Sequence, residues 1–282
     1  MTSCLIHPMW DFFPIFTKKI LKKQFFSPHS YKPANDEKQL LRYAKQFEII
    51  VHQKKIQCWQ WGSGPFIIFV HGWNGRGTQF YGLIEKFFRA EYGIVTFDGS
   101  AHGISQGEST SYFEMIDTVR SLMHHLEPHQ IQGMVGHSFG AATIINALNK
   151  ENYHIPAVLI APALRLKELL ERTFYLYGIP SHIYYQLIGD YEREFGYDLE
   201  KDNPINLLKE GNWQIMVIHD QDDQIVAYQD SKEAADNIQS ISLFLTSGLG
   251  HKRLLKEPQV IEQTFYFFSE SKITILITGN KK

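Results

Sequence analysis

Eight short apolar runs recur along the chain, and they constrain its fold more than any other feature of the sequence. From the third run onward, most are nearly continuous in apolar character and rich in β-branched residues, as expected of strands buried on both faces. Such strands form parallel sheets that helices cover on both sides. The runs are FEIIVHQ (47–53), IQCWQW (56–61), FIIFVHG (66–72), GIVTFDG (93–99), IQGMVGHS (131–138), AVLIAPA (157–163), QIMVIHD (214–220) and ISLFLTS (241–247).

Stretches with helical character fill the gaps between these runs, and the alternation predicts a doubly wound α/β domain. The first two runs alternate more and are joined by HQKK, which predicts an antiparallel hairpin at one edge of a mostly parallel, eight-stranded sheet. The chain has 282 residues, 44% of them hydrophobic, and no Pro/Gly/Ser-rich linker, so we expect a single domain over 1–282. The predicted helical stretches are 78–92, 111–128, 138–152 and 228–239.

Two segments fall outside this rhythm. Residues 164–212 are helical and aromatic-rich and lie between two predicted core strands, which predicts a helical cap inserted over the strand ends. Residues 1–45 form an N-terminal extension that we expect to pack on the domain. Its FTKKILKKQFF stretch (16–26) could instead lie on a membrane as a basic amphipathic helix, but packing on the domain is the favoured interpretation.

Charge and cysteine content exclude several classes of protein. The chain has 28 lysine and arginine residues and 30 acidic residues, and this net charge of −2 does not indicate a nucleic-acid-binding protein. Cys4 and Cys58 do not make a disulfide framework. The N-terminus lacks the residue order of a secretory signal, and no run reaches the roughly 18 apolar residues of a spanning helix. We therefore expect a cytoplasmic protein; the sequence gives no indication of its oligomeric state.

Ser138 lies in GHSFG (136–140), directly after the fifth run and before a predicted helix. A serine hydroxyl is a weak nucleophile, and a sharp strand-to-helix turn holds it exposed. Side chains two positions to either side would collide with neighbouring backbone, which explains Gly136 and Gly140. The pentapeptide alone could be a glycine-lined turn, but its setting between strand and helix favours a nucleophile.

A nucleophilic serine needs a histidine base, and the base needs an orienting acid. In this kind of fold both follow the serine in the chain, with the histidine last. His251 lies after the eighth run and is the only histidine beyond His219. The seventh run ends in a turn that offers three acids, and the residues alone leave the choice among them open. These acids are Asp220, Asp222 and Asp223.

The oxyanion of a tetrahedral intermediate needs preorganised N–H donors. We expect one from the backbone of Phe139, which follows the serine, and the other from the backbone of Trp73 in HGWNGRG (71–77). Gly72 and its neighbouring glycines would let this loop approach the serine. A glycine-rich connection with no ligand is the alternative interpretation.

Five motifs together resemble the α/β-hydrolase superfamily, in particular bacterial serine esterases and lipases, over roughly residues 45–265. They are the His71-Gly72 pair, FDGSAHGISQG (97–107), GHSFGA (136–141), HDQDDQIV (219–226) and GLGH (248–251). Asp220 and Ser100 depart from the pattern, standing where the family usually has glycine and proline.

The resemblance implies a serine hydrolase that cleaves a small or apolar carboxylic ester without a cofactor. Alignment of His219 and Val226 with the family pattern makes Asp223 the acid, with Asp222 as runner-up, and gives Asp98 and His102 a role in shaping their loop. Thioesterase, amidase, acyltransferase or cofactor-free perhydrolase activity would use the same triad.

Two other classes of protein are alternatives to a hydrolase. The strand, glycine turn and helix around 66–77, with Asp98 ending the next strand, resemble a dinucleotide-binding unit, and Tyr197 and Lys201 resemble a reductase pair. The glycine spacing is reversed and the triad would be left unexplained. A non-catalytic binding protein on this scaffold would usually lack a triad member. His125 and His129 are separated by a helix-breaking proline, so no metal site is predicted.

Overall fold

A computed structural model describes residues 14–126 and 128–279; Cys4 and the first part of the N-terminal extension lie outside these ranges. One eight-stranded sheet runs through the molecule. Each strand coincides within a few residues with one of the eight apolar runs. The strands are β1 (Lys45–Val51), β2 (Lys54–Trp61), β3 (Phe66–Val70), β4 (Gly93–Phe97), β5 (Ile131–His137), β6 (Ala157–Ile160), β7 (Ile215–Asp220) and β8 (Ile241–Thr246).

The strand order is β1-β2-β4-β3-β5-β6-β7-β8. Strand β2 pairs antiparallel with both β1 and β4, and every other neighbouring pair is parallel. The hairpin and the mostly parallel sheet are therefore confirmed. In this order β3 and β5 are neighbours near the centre, so the loops that follow them meet at the same edge of the sheet.

Helices fill the connections, and the fold class predicted from the sequence is confirmed. Strands β3, β4 and β6 are buried along their whole length because helices cover both faces of the sheet. The helices in the described ranges are α1 (Pro14–Phe25), α2 (Asn35–Leu41), α3 (Tyr81–Arg89), α4 (Tyr112–Leu126), α5 (Phe139–Lys150), α6 (Leu166–Leu176), α7 (Ser181–Phe195), α8 (Pro204–Glu210), α9 (Tyr228–Asn237), α10 (Gly250–Arg253) and α11 (Pro258–Gly279).

The apolar core has two parts, one on each face of the sheet. Helices α3 and α11 pack on one face, where Phe87 and Phe268 are fully buried. Helices α4, α5 and α9 pack on the other face, around residues such as Ile116 and Ile144. Helices α6, α7 and α8 occupy the connection between β6 and β7, within the interval for which a cap is predicted.

The described part of the N-terminal extension contacts the rest of the domain closely. Leu21 of α1 and the adjacent Phe26 are buried in the core cluster that contains α4 and α7. Within residues 14–126 and 128–279, no helix combines the length and the apolar character that crossing a membrane requires.

Candidate active site

Ser138 occupies a strained turn between β5 and α5. Its φ of 55° and ψ of −118° place it in a region that residues with a side chain rarely adopt. A Cβ added at Gly136 would lie 2.6 Å from Ala141 Cα, and one added at Gly140 would lie 2.4 Å from the backbone oxygen of His71. Glycine is therefore required on both sides of the serine, and the turn presents the Ser138 hydroxyl at the end of the strand.

Ser138, His251 and Asp223 form a continuous hydrogen-bonded series. His251 Nε2 lies 2.9 Å from Ser138 Oγ, and His251 Nδ1 lies 2.6 Å from Asp223 Oδ2. The Asp223 side chain is fully buried and that of His251 nearly so. Since a carboxylate can only accept, Nδ1 carries the hydrogen and Nε2 is free to accept the proton of the serine hydroxyl. The three predicted side chains therefore meet at the ends of β5, β7 and β8.

Asp223 is held as an ionised acceptor on both of its oxygens. Oδ1 accepts backbone N–H groups from Ile225 at 2.8 Å and Val226 at 3.0 Å, and Oδ2 accepts from His219 Nε2 at 3.2 Å as well as from His251. Burial by itself raises the pKa of this carboxyl, but the hydrogen bonds from His219 and His251 outweigh it and hold the pKa well below its ordinary value.

A second histidine holds the main chain of the base. His137, next to Ser138, is buried, and its Nε2–H donates to the backbone oxygen of His251 at 2.9 Å. Burial lowers the pKa of His137 to about 3, so this ring is neutral near pH 7 and acts as a donor rather than as a charge. No sequence motif predicts this role for His137, although its place beside the serine is a usable signal.

Asp220 fastens the loop that carries His251 to the end of β7. Its carboxylate is fully buried and accepts four hydrogen bonds, two of them from the backbone of Leu249 at 3.1 Å and Gly250 at 2.9 Å. The other two come from the Thr246 hydroxyl and the Asp222 N–H. Burial raises the pKa of Asp220, but these donors outweigh it and lower the pKa below its ordinary value. The departure from glycine noted in the sequence therefore has a structural purpose.

The runner-up acid does not contact the base. Asp222 is exposed, and its Oδ2 accepts the N–H of Gly248 at 2.7 Å. Its position stabilises the turn after β8 rather than the imidazole of His251.

The two predicted oxyanion donors belong to backbone close to the serine. A Cβ added at Gly72 would be 2.9 Å from the His137 oxygen and 3.1 Å from Ser138 Cβ, so the backbone leading to Trp73 passes very close to the nucleophile. No described residue accepts a hydrogen bond from the backbone N–H of Trp73 or of Phe139. Two unbonded N–H groups beside a serine are what an oxyanion hole requires.

The loop after β3 is anchored at its far end by buried charges. Asp98 accepts the N–H of Gly77 at 2.9 Å and that of Ile104 at 3.0 Å, which ties this loop to the one after β4. Arg76 makes a two-pronged ion pair with the buried Glu37, at 2.5 Å for each N–O contact. Of the glycines in the loop, Gly72 approaches the serine, whereas an added Cβ at Gly77 would meet β4.

An apolar cavity of about 240 Å³ opens beside Ser138. Of the six aromatic residues between positions 174 and 191 of the predicted cap, Phe174 and Tyr191 line it, Tyr184 packs edge-on against Phe174, and the remaining three are exposed. The lining residues are Phe25, Phe26, Trp73, Ser111, Tyr112, Phe113, Ser138, Phe139, Ala163, Leu166, Leu169, Leu170, Thr173, Phe174, Ile188, Tyr191, Leu199, Ile225 and Val226. The contribution of the N-terminal segment to the cavity is not predicted from the sequence, where the stretch that contains Phe25 and Phe26 is expected to pack on the domain.

The groups that suggested other functions are engaged elsewhere. Tyr197 donates to Asp117 at 2.6 Å and stacks on Phe113, whereas Lys201 pairs with Asp198 on the surface. In the part of the chain that the structure describes, no three His, Cys, Asp or Glu side chains are grouped to hold a metal ion.

Comparison with known proteins identifies the architecture of the chain. Residues 65–177 match the family model of the alpha/beta hydrolase fold, whereas no curated protein matches the chain significantly. An esterase from Pyrococcus furiosus is 20% identical, with a TM-score of 0.66 over 87% of this chain and 97% of its own. An esterase from Exiguobacterium antarcticum is 14% identical, with a TM-score of 0.60 over 80% and 100%.

A third structure of the same architecture comes from mouse. Alpha/beta hydrolase domain-containing protein 10 is 20% identical, with a TM-score of 0.60 over 82% of this chain and 100% of its own. Likeness at this level of identity establishes the fold. The resemblance to the α/β-hydrolase superfamily inferred from the motifs is confirmed.

Proposed function

Because the chain has the α/β-hydrolase fold, we propose that it is a serine hydrolase that cleaves carboxylic esters through an acyl-enzyme intermediate. The observation that carries the proposal is the hydrogen-bonded series from Asp223 through His251 to Ser138. The similar structures from Pyrococcus furiosus and Exiguobacterium antarcticum are also named esterases, which supports this reaction class.

In the acylation half-reaction, Ser138 Oγ attacks the ester carbonyl carbon while His251 Nε2 takes the hydroxyl proton. Asp223 stabilises the imidazolium that forms and keeps the ring oriented. The tetrahedral intermediate then collapses, the bond to the alkoxy oxygen breaks, and His251 returns its proton to the leaving alcohol. The acyl group remains bonded to Ser138 as an ester.

Deacylation repeats these steps with water as the nucleophile. His251 removes a proton from the water, which attacks the acyl carbon, and the proton is then given to Ser138 Oγ as that bond breaks. The carboxylic acid leaves and the serine is restored. In both halves the negative charge on the carbonyl oxygen is stabilised by the N–H groups of Trp73 and Phe139.

We further propose that helices α6–α8, within 164–212, act as a cap over an acyl-binding cavity. The apolar lining favours an apolar acyl group over a charged one. The cavity is large enough for an acyl chain of several carbons. Thioesters, amides and acyl transfer to another acceptor, or to peroxide, would use the same groups.

Reaction with a fluorophosphonate probe, together with hydrolysis of p-nitrophenyl esters of increasing acyl length, tests the proposal. We expect covalent labelling of the folded protein and a value of kcat/KM that rises from the acetate ester to an optimum at an intermediate acyl length and then falls. A folded protein that neither reacts with the probe nor hydrolyses any ester of the series would overturn the hydrolase proposal. Labelling without ester hydrolysis would point to another acyl substrate.

Asp220→Asn is expected to lower kcat by about 10- to 100-fold with little change in KM, because the loop that carries His251 would lose part of its anchorage and a displacement of about 1 Å can cost that much. The amide would oppose at least one of the four donors that the carboxylate now accepts. Steady-state kinetics measure kcat and KM, and thermal unfolding shows whether the variant is folded. The matched control is Asp236→Asn, an exposed aspartate paired with Lys232, for which we expect wild-type kinetics. Equal kinetics for both variants would contradict the positioning role.

A further inference from the structure

Two walls of the cavity beside Ser138 come from a part of the chain that is remote in sequence from every predicted catalytic residue. Phe25 and Phe26, at the end of α1, line the same cavity as Ser138 and Phe139. The motifs that resemble the hydrolase family begin only at the strands that follow. The N-terminal segment is thus an addition to the site rather than part of the pattern that identified it.

The two rings pack against the helices that close the cavity from the other side. Phe25 stacks on Phe174 of α6 with ring centroids 4.2 Å apart and meets Tyr177 edge-on at 5.3 Å. Phe26 packs against Tyr191 of α7 at 4.5 Å. These contacts join the N-terminal segment to the proposed cap, so the two segments form one continuous wall of the cavity.

The segment is fastened on the upstream side of the two rings. Lys18 forms an ion pair with Asp190, and the Lys22 ammonium lies 4.5 Å from the centre of the Tyr191 ring. The backbone oxygen of Phe26 accepts the N–H of Thr110 at 2.8 Å, immediately before Ser111 of the cavity lining.

The segment is also fastened downstream, to the loop that carries the proposed oxyanion donor. The backbone N–H of His29 donates to Asn74 Oδ1 at 2.7 Å. The Arg76 guanidinium donates to the backbone oxygen of Tyr31 at 3.2 Å as well as to the buried Glu37. Anchors on both sides give Phe25 and Phe26 fixed positions. A fixed apolar wall can select substrates by length, whereas a mobile one would yield to longer chains.

We propose that Phe25 and Phe26 determine the length of the acyl chain that the cavity accepts. The inference rests on the proposed ester hydrolysis and names its specificity-determining residues. Replacing either phenylalanine by alanine removes six carbons from the wall and opens that space to the substrate. Each additional buried methylene is worth about a fourfold gain in kcat/KM, so the preferred chain should lengthen measurably.

The test is the p-nitrophenyl ester series from acetate to palmitate, applied to the full chain and its variants. Phe25→Ala is expected to move the maximum of kcat/KM to acyl chains longer by about two carbons or more, and Phe25→Trp to shorter chains. Phe26 is buried, so the smaller change Phe26→Leu is used there instead of alanine. This variant should shift the maximum in the same direction as Phe25→Ala. The matched control is Phe16→Ala, which removes an exposed ring from the same helix outside the cavity lining and should leave the profile unchanged.

A binding readout separates this inference from the hydrolase proposal. In the Ser138→Ala background, saturated fatty acids of increasing length should displace an apolar fluorescent dye with a length optimum that moves with Phe25→Ala in the same way. An optimum that stays fixed in Phe25→Ala, in both hydrolysis and dye displacement, would overturn the inference while leaving the triad untouched. If the binding optimum shifts but no ester is hydrolysed, the proposed ester hydrolysis is wrong, whereas the role of the phenylalanine wall in selecting chain length is supported.

Discussion

Ser138→Ala is expected to lower kcat on any substrate of this protein by a factor on the order of 10⁴–10⁶, as loss of the nucleophile does in other triads. The hydroxyl oxygen is the only non-hydrogen atom lost, so the cavity and the His251–Asp223 contact should remain in place. Labelling by a fluorophosphonate should disappear together with turnover. Both are measured on protein whose thermal unfolding matches that of the wild type.

A second substitution at the same position separates catalysis from backbone strain. Ser138 has a φ of 55°, which glycine adopts without a penalty, whereas serine and alanine share the Cβ that makes it costly. Ser138→Gly should therefore be as inactive as Ser138→Ala but more stable, by up to about 2 kcal/mol, because glycine releases about 1–3 kcal/mol of strain but loses roughly 0.5–1 kcal/mol more backbone entropy on folding. Activity that survives in both variants would remove Ser138 from the mechanism. A Ser138→Gly variant that is clearly less stable than Ser138→Ala would show that the turn is not strained.

The sheet could be predicted from the sequence because burial on both faces leaves a local signature. Strand β3 is apolar at every position and β4 is interrupted only by Thr96, and the helices that follow such strands carry their own periodicity. The limits of a strand depend on backbone geometry that composition does not show. The sixth run continues to Ala163, but β6 ends at Ile160 because Ala161 adopts a φ of 46° and a proline follows.

The same distinction applies to the candidate site, in which some residues have a local sequence signature and others depend on the folded structure. Ser138 and His251 follow strand ends in a known order, so a one-dimensional pattern finds them. The contact between Phe26 and Tyr191 joins distant parts of the chain and leaves no local trace, which is why the cavity wall was missed. Asp220 was visible as a departure from the family pattern, but its role depends on four donors that only the folded chain brings together.

Asp223→Asn is expected to lower kcat by about 10³–10⁴-fold, as in other triads whose acid is made neutral. The surrounding donors determine how the amide would be oriented. The N–H groups of Ile225 and Val226 both point at Oδ1, so the amide oxygen must take that position and the NH₂ group must take the other. The NH₂ group would then face His251 Nδ1 as a donor and force it to become an acceptor.

The consequence is a base with its hydrogen on the wrong nitrogen. With Nδ1 accepting, the hydrogen of neutral His251 moves to Nε2, which faces Ser138 Oγ at 2.9 Å and can no longer take the serine proton. Asp222→Asn is the matched control, because its amide oxygen can still accept the Gly248 N–H and it does not touch His251. We expect a change of less than about threefold in kcat for this variant, as for most surface substitutions. Steady-state rates of the two variants decide between the acids, since a large loss in Asp222→Asn with near-normal turnover in Asp223→Asn would reverse the assignment.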